Sequence, residues 1–184
     1  LVEYLADFKR AFHLDRLTVE PLGLSSRPGT MTLLRPQDHW GAASFNTQVL
    51  AKANVVSVPV AVTTLDEYLS RHPELRPVRF IKCDVEQHEA DVLLGAVDTL
   101  REDRPELLLE WADEDPSRRV VLFDLLRELG YRAERFTNHG RVPTDDAARQ
   151  CGVETWDSYV FLPSPRTPVS LGAPVQKSAS RVPA

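Results

Sequence analysis

The stretch from Thr64 to Trp111 constrains the fold more tightly than any other part of the sequence. Its first piece, TLDEYL, carries the signature of a helix start, with Thr64 as N-cap, Glu67 at the third helical position and Pro73 as a limit downstream. VRFIKCDV follows as a near-continuous apolar run, the composition of a strand buried in a parallel sheet. Beyond the acidic loop Asp84-Val85-Glu86, the residues Leu93, Ala96, Val97 and Leu100 recur at helical spacing, while Glu89, Asp91, Asp98 and Arg101 fall away from that stripe. Pro105 ends this amphipathic helix, and ELLLEW reads as a second buried strand. Strand, helix and strand in that order predict a crossover between parallel neighbours, and hence an α/β fold. The acidic loop then lies past the carboxyl end of a strand, the edge at which open α/β sheets bind ligands.

The flanking segments extend this pattern. LVEYLADFKRAF places Leu1, Leu5, Phe8 and Phe12 on one helical face. LDRLTVEPLGLS reads as a strand, Arg27-Pro28-Gly29 as a turn and TMTLL as a returning strand, so a hairpin or short meander is expected. Residues 35–54 form a long polar loop with room for one short helix and with Trp40 and Phe45 as isolated aromatics. Loops of that length commonly serve binding or act as lids. VVSVPVAV is a strand rich in β-branched residues, and Pro59 points to a sheet edge. Asp115-Pro116 supplies an N-cap and a first-turn proline for the helix VVLFDLLREL, and Gly130 is its natural C′ residue. YRAERF and SYVFLP close the domain as two strands, adding an antiparallel edge. A single domain over residues 1–163 is expected, and 164–184, composed of Pro, Ser, Ala and Val without periodicity, reads as a disordered tail.

Bulk properties exclude several functions. The 184 residues suffice for one core, and the net charge of −5 argues against nucleic acid as a partner. The positive charge is nearly all Arg, with Lys only at 9, 52, 82 and 177, and no cluster is dense enough to track phosphates. Cys83 and Cys151 make no disulfide framework, and a reduced, buried Cys83 points to a cytoplasmic location. No run approaches the roughly 18 apolar residues of a membrane span. The first residues lack both the basic region of a signal peptide and an initiator Met, so the sequence is expected to begin inside a longer unit.

The segments VPVAVTTLDEYL, FIKCDVEQHEADVLLGA, RPELLLEW and SYVFLP resemble the FkbM-type methyltransferases, S-adenosylmethionine-dependent enzymes that typically methylate hydroxyls of polyketides, sugars and other small molecules. Lys82, Asp84, Val85, Glu86 and Glu89, then Val92-Leu93 and Gly95-Ala96, stand in register with the family pattern, and LTVEPLGLSSRPGTMTL resembles its third strand and following hairpin. The likeness runs over most of residues 15–163. Two departures stand out. Gln87 occupies a position where the family has glycine, and the family's N-terminal glycine loop and ribose-binding strand have no counterpart. The resemblance therefore implies the C-terminal portion of a Rossmann-like methyltransferase, truncated at its N-terminus, with a mostly parallel sheet and antiparallel C-terminal strands. S-adenosyl-L-methionine is the implied cofactor, its site completed by a missing N-terminal part or a partner, and a small-molecule hydroxyl is the acceptor. The alternative is a non-catalytic remnant or binding domain that lost the cofactor loop.

Within this frame Asp84, Glu86 and Glu110 are the implied catalytic carboxylates, placed to orient an alcohol or accept its proton. The competing structural reading is that acidic residues stabilise the first turn of a helix and cap a strand end. Leu24 and Ser25, with Asp84, are implied to bind the cofactor, and Lys82, Trp111 and Trp40 the substrate. Lys82 in an apolar strand is costly unless it pairs with Asp84 or reaches the pocket. Trp40 and Phe45 wall a substrate site or anchor their loop to the core. Asp84, Glu86, His88 and Glu89 also suit a divalent metal, and a metal-dependent hydrolase is a weaker reading. His88, however, is expected to point away and no second His is near, so no metal is assigned. Neither a G-x-S-x-G elbow nor a P-loop occurs, and Ser-His-Asp nucleophilic catalysis finds no support. A sheet lacking its first strands exposes a central edge, a template for self-association.

Overall fold

In this computed structural model the described residues are 2–37, 43–45, 54–111, 116–137, 140–144 and 157–165. The helices are α1 (Val2–Ala11), α2 (Leu65–Arg71), α3 (Glu89–Leu94), α4 (Val97–Glu102) and α5 (Pro116–Glu128). The strands are β1 (Gly23–Leu24), β2 (Gly29–Pro36), β3 (Val55–Thr63), β4 (Phe80–Cys83), β5 (Glu106–Trp111), β6 (Tyr131–Thr137), β7 (Gly140–Pro143) and β8 (Asp157–Pro163). They build a three-stranded sheet in the order β1-β3-β2 and a five-stranded sheet in the order β4-β5-β8-β6-β7. The α/β class holds, but the expected mostly parallel sheet does not. Among the described residues only β1·β3 and β4·β5 are parallel, and the other four pairings are antiparallel. The reason is connectivity. Helical connections join β4 to β5 through α3 and α4 and β5 to β6 through α5, but β8 inserts antiparallel between β5 and β6 and β7 returns antiparallel on β6, so the parallel strands β5 and β6 are not neighbours.

One face of the large sheet carries the core. Ile81 and Cys83 of β4, Leu107 and Leu109 of β5, and Phe161 and Tyr159 of β8 align across the ladder, because side chains alternate with period two. Val92, Leu93, Ala96 and Leu100 from α3 and α4, and Leu122 and Leu126 from α5, close over them. Phe123 meets Tyr159 and Phe161 edge-on, with ring centroids 5.4 and 5.0 Å away. Each fully buried Leu here contributes about 1.5–3 kcal/mol.

Several local expectations need correction. The predicted strand over residues 14–25 shrinks to Gly23–Leu24, and it forms no hairpin with β2; both strands flank β3 instead. β3 is therefore central rather than an edge. Pro59 is tolerated because β1 reaches only Val62 and Thr63, so β3 has a neighbour on one side alone at that point. FIKC is not a buried strand: β4 ends the sheet, with Phe80 and Lys82 exposed and only Cys83 buried. The single amphipathic helix splits into α3 and α4 at Gly95 and Ala96. Gly95 lies at a close approach, since a Cβ there would stand 2.1 Å from the Ser25 carbonyl oxygen.

Other features are as read. Thr64 caps α2, its Oγ1 accepting from the Glu67 N–H at 3.0 Å, although the Glu67 carboxylate turns to the Thr63 hydroxyl at 3.0 Å rather than back to the cap. Gly130 follows α5 with a left-handed φ of 80°. The helix α1 forms, yet none of its residues is buried. No helix among the described residues is long and apolar enough to cross a membrane.

Candidate functional site

The acidic loop is built by the chain leaving β4 and turning into α3. Two consecutive residues, Glu86 and Gln87, adopt left-handed φ values of 51° and 70°. Such strain persists only where surroundings over-determine the backbone, and it concentrates at functional sites. Three groups hold this loop. The buried Ser44 hydroxyl donates to the Glu86 carbonyl. Glu89, 2% exposed, accepts the Val85 N–H at 3.1 Å through Oε1. His88, also buried, lies with Nε2 3.1 Å from Ser25 Oγ.

Lys82, Asp84, Glu86 and Glu110 come together here, as their places at the ends of two parallel neighbours require. Lys82 Nζ donates to Asp84 Oδ2 at 2.6 Å, so the pairing expected from sequence is present. The strand around Lys82 is not buried, however, and its side chain is 52% exposed. The Asp84 hydrogen bond raises the Lys82 pKa, against the opposing effect of burial, and the charges of Asp84 and Glu110 add to the rise. Burial raises the proton affinity of Glu86, and the neighbouring charges of Asp84 and Glu110 push it further up. The arrangement thus holds one carboxyl predisposed to take a proton beside a second carboxylate held by an ammonium.

Next to the carboxylates a mostly apolar cleft of about 260 Å³ opens between β1 and β4. Leu24, Phe45, Ile81, Lys82, Val85 and His88 are among its walls. Phe45 faces this cleft and packs its ring against His88. Ser25 is 3% exposed and sits behind that wall, its N–H bonded to the Thr63 carbonyl at 2.9 Å. Trp111 ends β5 opposite Asp157, and only its backbone is described. Trp40 lies outside the described residues. Among those residues no group of three or more His, Cys, Asp and Glu is arranged to hold a metal ion.

Sequence reasoning missed His88. It was expected to point away from the loop, but it points inward to Ser25 and packs its ring 5.2 Å from that of Phe45. Helical phase alone misplaced it, because His88 is the N-cap of α3 with φ −120° and does not follow helical geometry. Glu89 was read beside Asp84 and Glu86, but it is a buried brace for the loop rather than a member of the open carboxylate group.

Residues 5–133 match the model of the methyltransferase FkbM domain family. No curated protein matches the chain. Among solved structures it is similar to methyltransferase FkbM from Methylobacillus flagellatus KT, with 19% identity and a TM-score of 0.48 over 87% of this chain and 33% of that one. The chain thus spans about a third of that protein's length.

Proposed function

This chain belongs to the FkbM methyltransferase family, and from that premise we propose that it serves S-adenosylmethionine-dependent methylation of a hydroxyl on a small molecule such as a polyketide or sugar. The observation that carries the reading is the convergence of Glu86, its proton affinity raised, with Asp84 and Glu110 beside an apolar cleft. The cleft suits a planar apolar base. At about 260 Å³ it lies below the usual ~300–1,000 Å³ of pockets that enclose a whole drug-sized ligand, so it fits part of the cofactor. Leu24 would line that base, Ser25 would hold Leu24 in place, and Asp84 would lie toward the ribose and the reacting end. When bound, the cofactor supplies an electrophilic methyl group.

The protein's own contribution is placement and proton transfer. Glu86 would take the hydroxyl proton of an acceptor whose oxygen gains the methyl group as the cofactor's sulfur–methyl bond breaks, and burial with like charges nearby makes it a better base than an ordinary carboxylate. Lys82 fixes Asp84, and Glu110, whose charge acts on both Lys82 and Glu86, would border the acceptor with Trp111 from the adjacent strand end. Most of the rate would come from holding hydroxyl and methyl in line. Cys83 is a free, buried thiol whose pKa burial pushes up to about 12, and a cytoplasmic location is part of the same proposal.

Calorimetric titration of S-adenosylhomocysteine into this chain tests the reading. One-to-one binding that weakens in Asp84→Asn supports it. No binding to this chain or to a form extended at its N-terminus overturns it.

A further inference from the structure

A set of polar side chains at and behind the cleft wall is not used in the proposed proton transfer. Ser25 Oγ lies 3.1 Å from His88 Nε2, His88 Nδ1 lies 3.6 Å from Asp91 Oδ2, and Ser26 Oγ donates to Asp91 Oδ1 at 2.9 Å. Ser25 and Ser26 follow β1 in the small sheet, whereas His88 and Asp91 open α3, which packs on the large sheet. The contacts therefore join the two sheets across the cleft.

Ser, His and Asp in that order also describe a nucleophilic triad. The surroundings argue against that use. Ser25 is 3% exposed and does not line the cleft, and its carbonyl abuts Gly95, so no acyl group has a path to Oγ. His88 does line the cleft. A buried imidazole bonded through Nε2 to the Ser25 hydroxyl and packed on the Phe45 ring has a constrained ring plane and so a fixed wall position.

We infer that His88 is a positioning residue: held between Ser25 and Asp91, it sets the spacing between the β1 end, Leu24–Ser25, and the acidic loop, Asp84–Glu86. Its effect on cofactor affinity rests on the methyltransferase reading, but the spacing itself does not. β1 has only two residues in register with β3, too little ladder to locate its own end. The loop hangs from the small-sheet side at two points, Ser44 to the Glu86 carbonyl and Ser25 to His88. Removing the Ser25–His88 contact takes away one of these two links between the left-handed loop and the small sheet.

The test compares wild type, His88→Phe, His88→Gln and Ser25→Ala, with amide hydrogen exchange of the free protein and S-adenosylhomocysteine titration as readouts. His88→Phe and Ser25→Ala are expected to speed exchange at residues 24–26 and 85–87 about tenfold, the size of one lost hydrogen bond. Amides of β5 and β8 keep wild-type protection, and His88→Gln, which retains a donor and acceptor near the Nε2 position, restores most of it. Affinity for S-adenosylhomocysteine should fall about tenfold in the first two variants and recover in the third. Unchanged exchange at both segments overturns the inference. So does a uniform rise across the protein, or a Gln variant as perturbed as Phe. If neither wild type nor a form extended at its N-terminus binds S-adenosylhomocysteine, the methyltransferase reading of the cleft falls, while the exchange pattern still decides the role of His88. Should His88→Phe fail to fold, Ser25→Ala carries the same test without altering the ring.

Discussion

Glu86 and Gln87 show how single residues shape this site. Both hold left-handed backbone, which costs a non-glycine residue roughly 1–2 kcal/mol. Gln87→Gly should raise stability by about 1 kcal/mol, net of the freedom glycine adds to the unfolded chain, read as a shift in denaturant midpoint at constant slope. Glu86 gives a pH-dependent expectation. Its folded pKa is raised above 4.5 by burial and by Asp84 and Glu110, so the folded state holds this proton longer than the unfolded state does. Stability from this group is complete below about pH 4.5 and declines as pH rises through the raised value. Glu86→Gln should therefore melt higher than wild type at pH 7, with the gap closing at pH 4, and should lose methyl-transfer activity. Equal melting at pH 7 would show that the carboxyl bears no such burden. The acidic loop and the awkward Gln87 were legible in sequence because they are local. The partnership of His88 with Ser25 was not, because 63 positions separate them and only the approach of the two sheets makes them neighbours.

At the scale of elements, the helices depend on groups that lie outside them. The N-cap residue of α4, Ala96, offers no side-chain bond. Asp66 in the first turn of α2 takes its place, accepting from the Asp98 N–H at 3.0 Å and from the Thr99 N–H and hydroxyl at 2.8 and 2.6 Å. Asp66→Ala should cost about 1–2 kcal/mol in chemical denaturation, as a lost N-cap does. A larger loss is expected where α3 meets the β1 end. Gly95→Ala would force a methyl against the Ser25 carbonyl, and overpacking of this kind costs about 1–3 kcal/mol, measurable as a lower melting temperature. The capped helix α2, the strand β5 and the closing strands β6 and β8 were readable because each announces itself by period, cap or length. The stripe from Leu93 to Leu100 concealed the break between α3 and α4, since periodicity records which face is buried and not whether the axis continues. The apolar composition of FIKC likewise signalled a surface that seeks cover but not its place at the sheet margin.

For the whole molecule, the margin is β4. Among the described residues β5 is its only strand partner, and Phe80 is 55% exposed. Self-association through this edge remains our proposal, since open ladders with apolar flanks recruit further strands. Sedimentation should show concentration-dependent dimers that Phe80→Lys abolishes; a wild-type monomer at every concentration would refute it. Where β5 begins, Arg104 donates to the carbonyls of Leu129, Gly130 and Ser164 at 3.1, 3.4 and 2.8 Å, and the Ser164 N–H returns to Gly130 at 2.8 Å. One guanidinium thus buckles the exit of α5 to the exit of β8, and this sets a length below which the protein should not be trimmed. A stop after Phe161 removes the Ser164 carbonyl and N–H together, leaves Arg104 only the carbonyls at the exit of α5, and should lower the melting temperature by several degrees relative to a stop after Pro165.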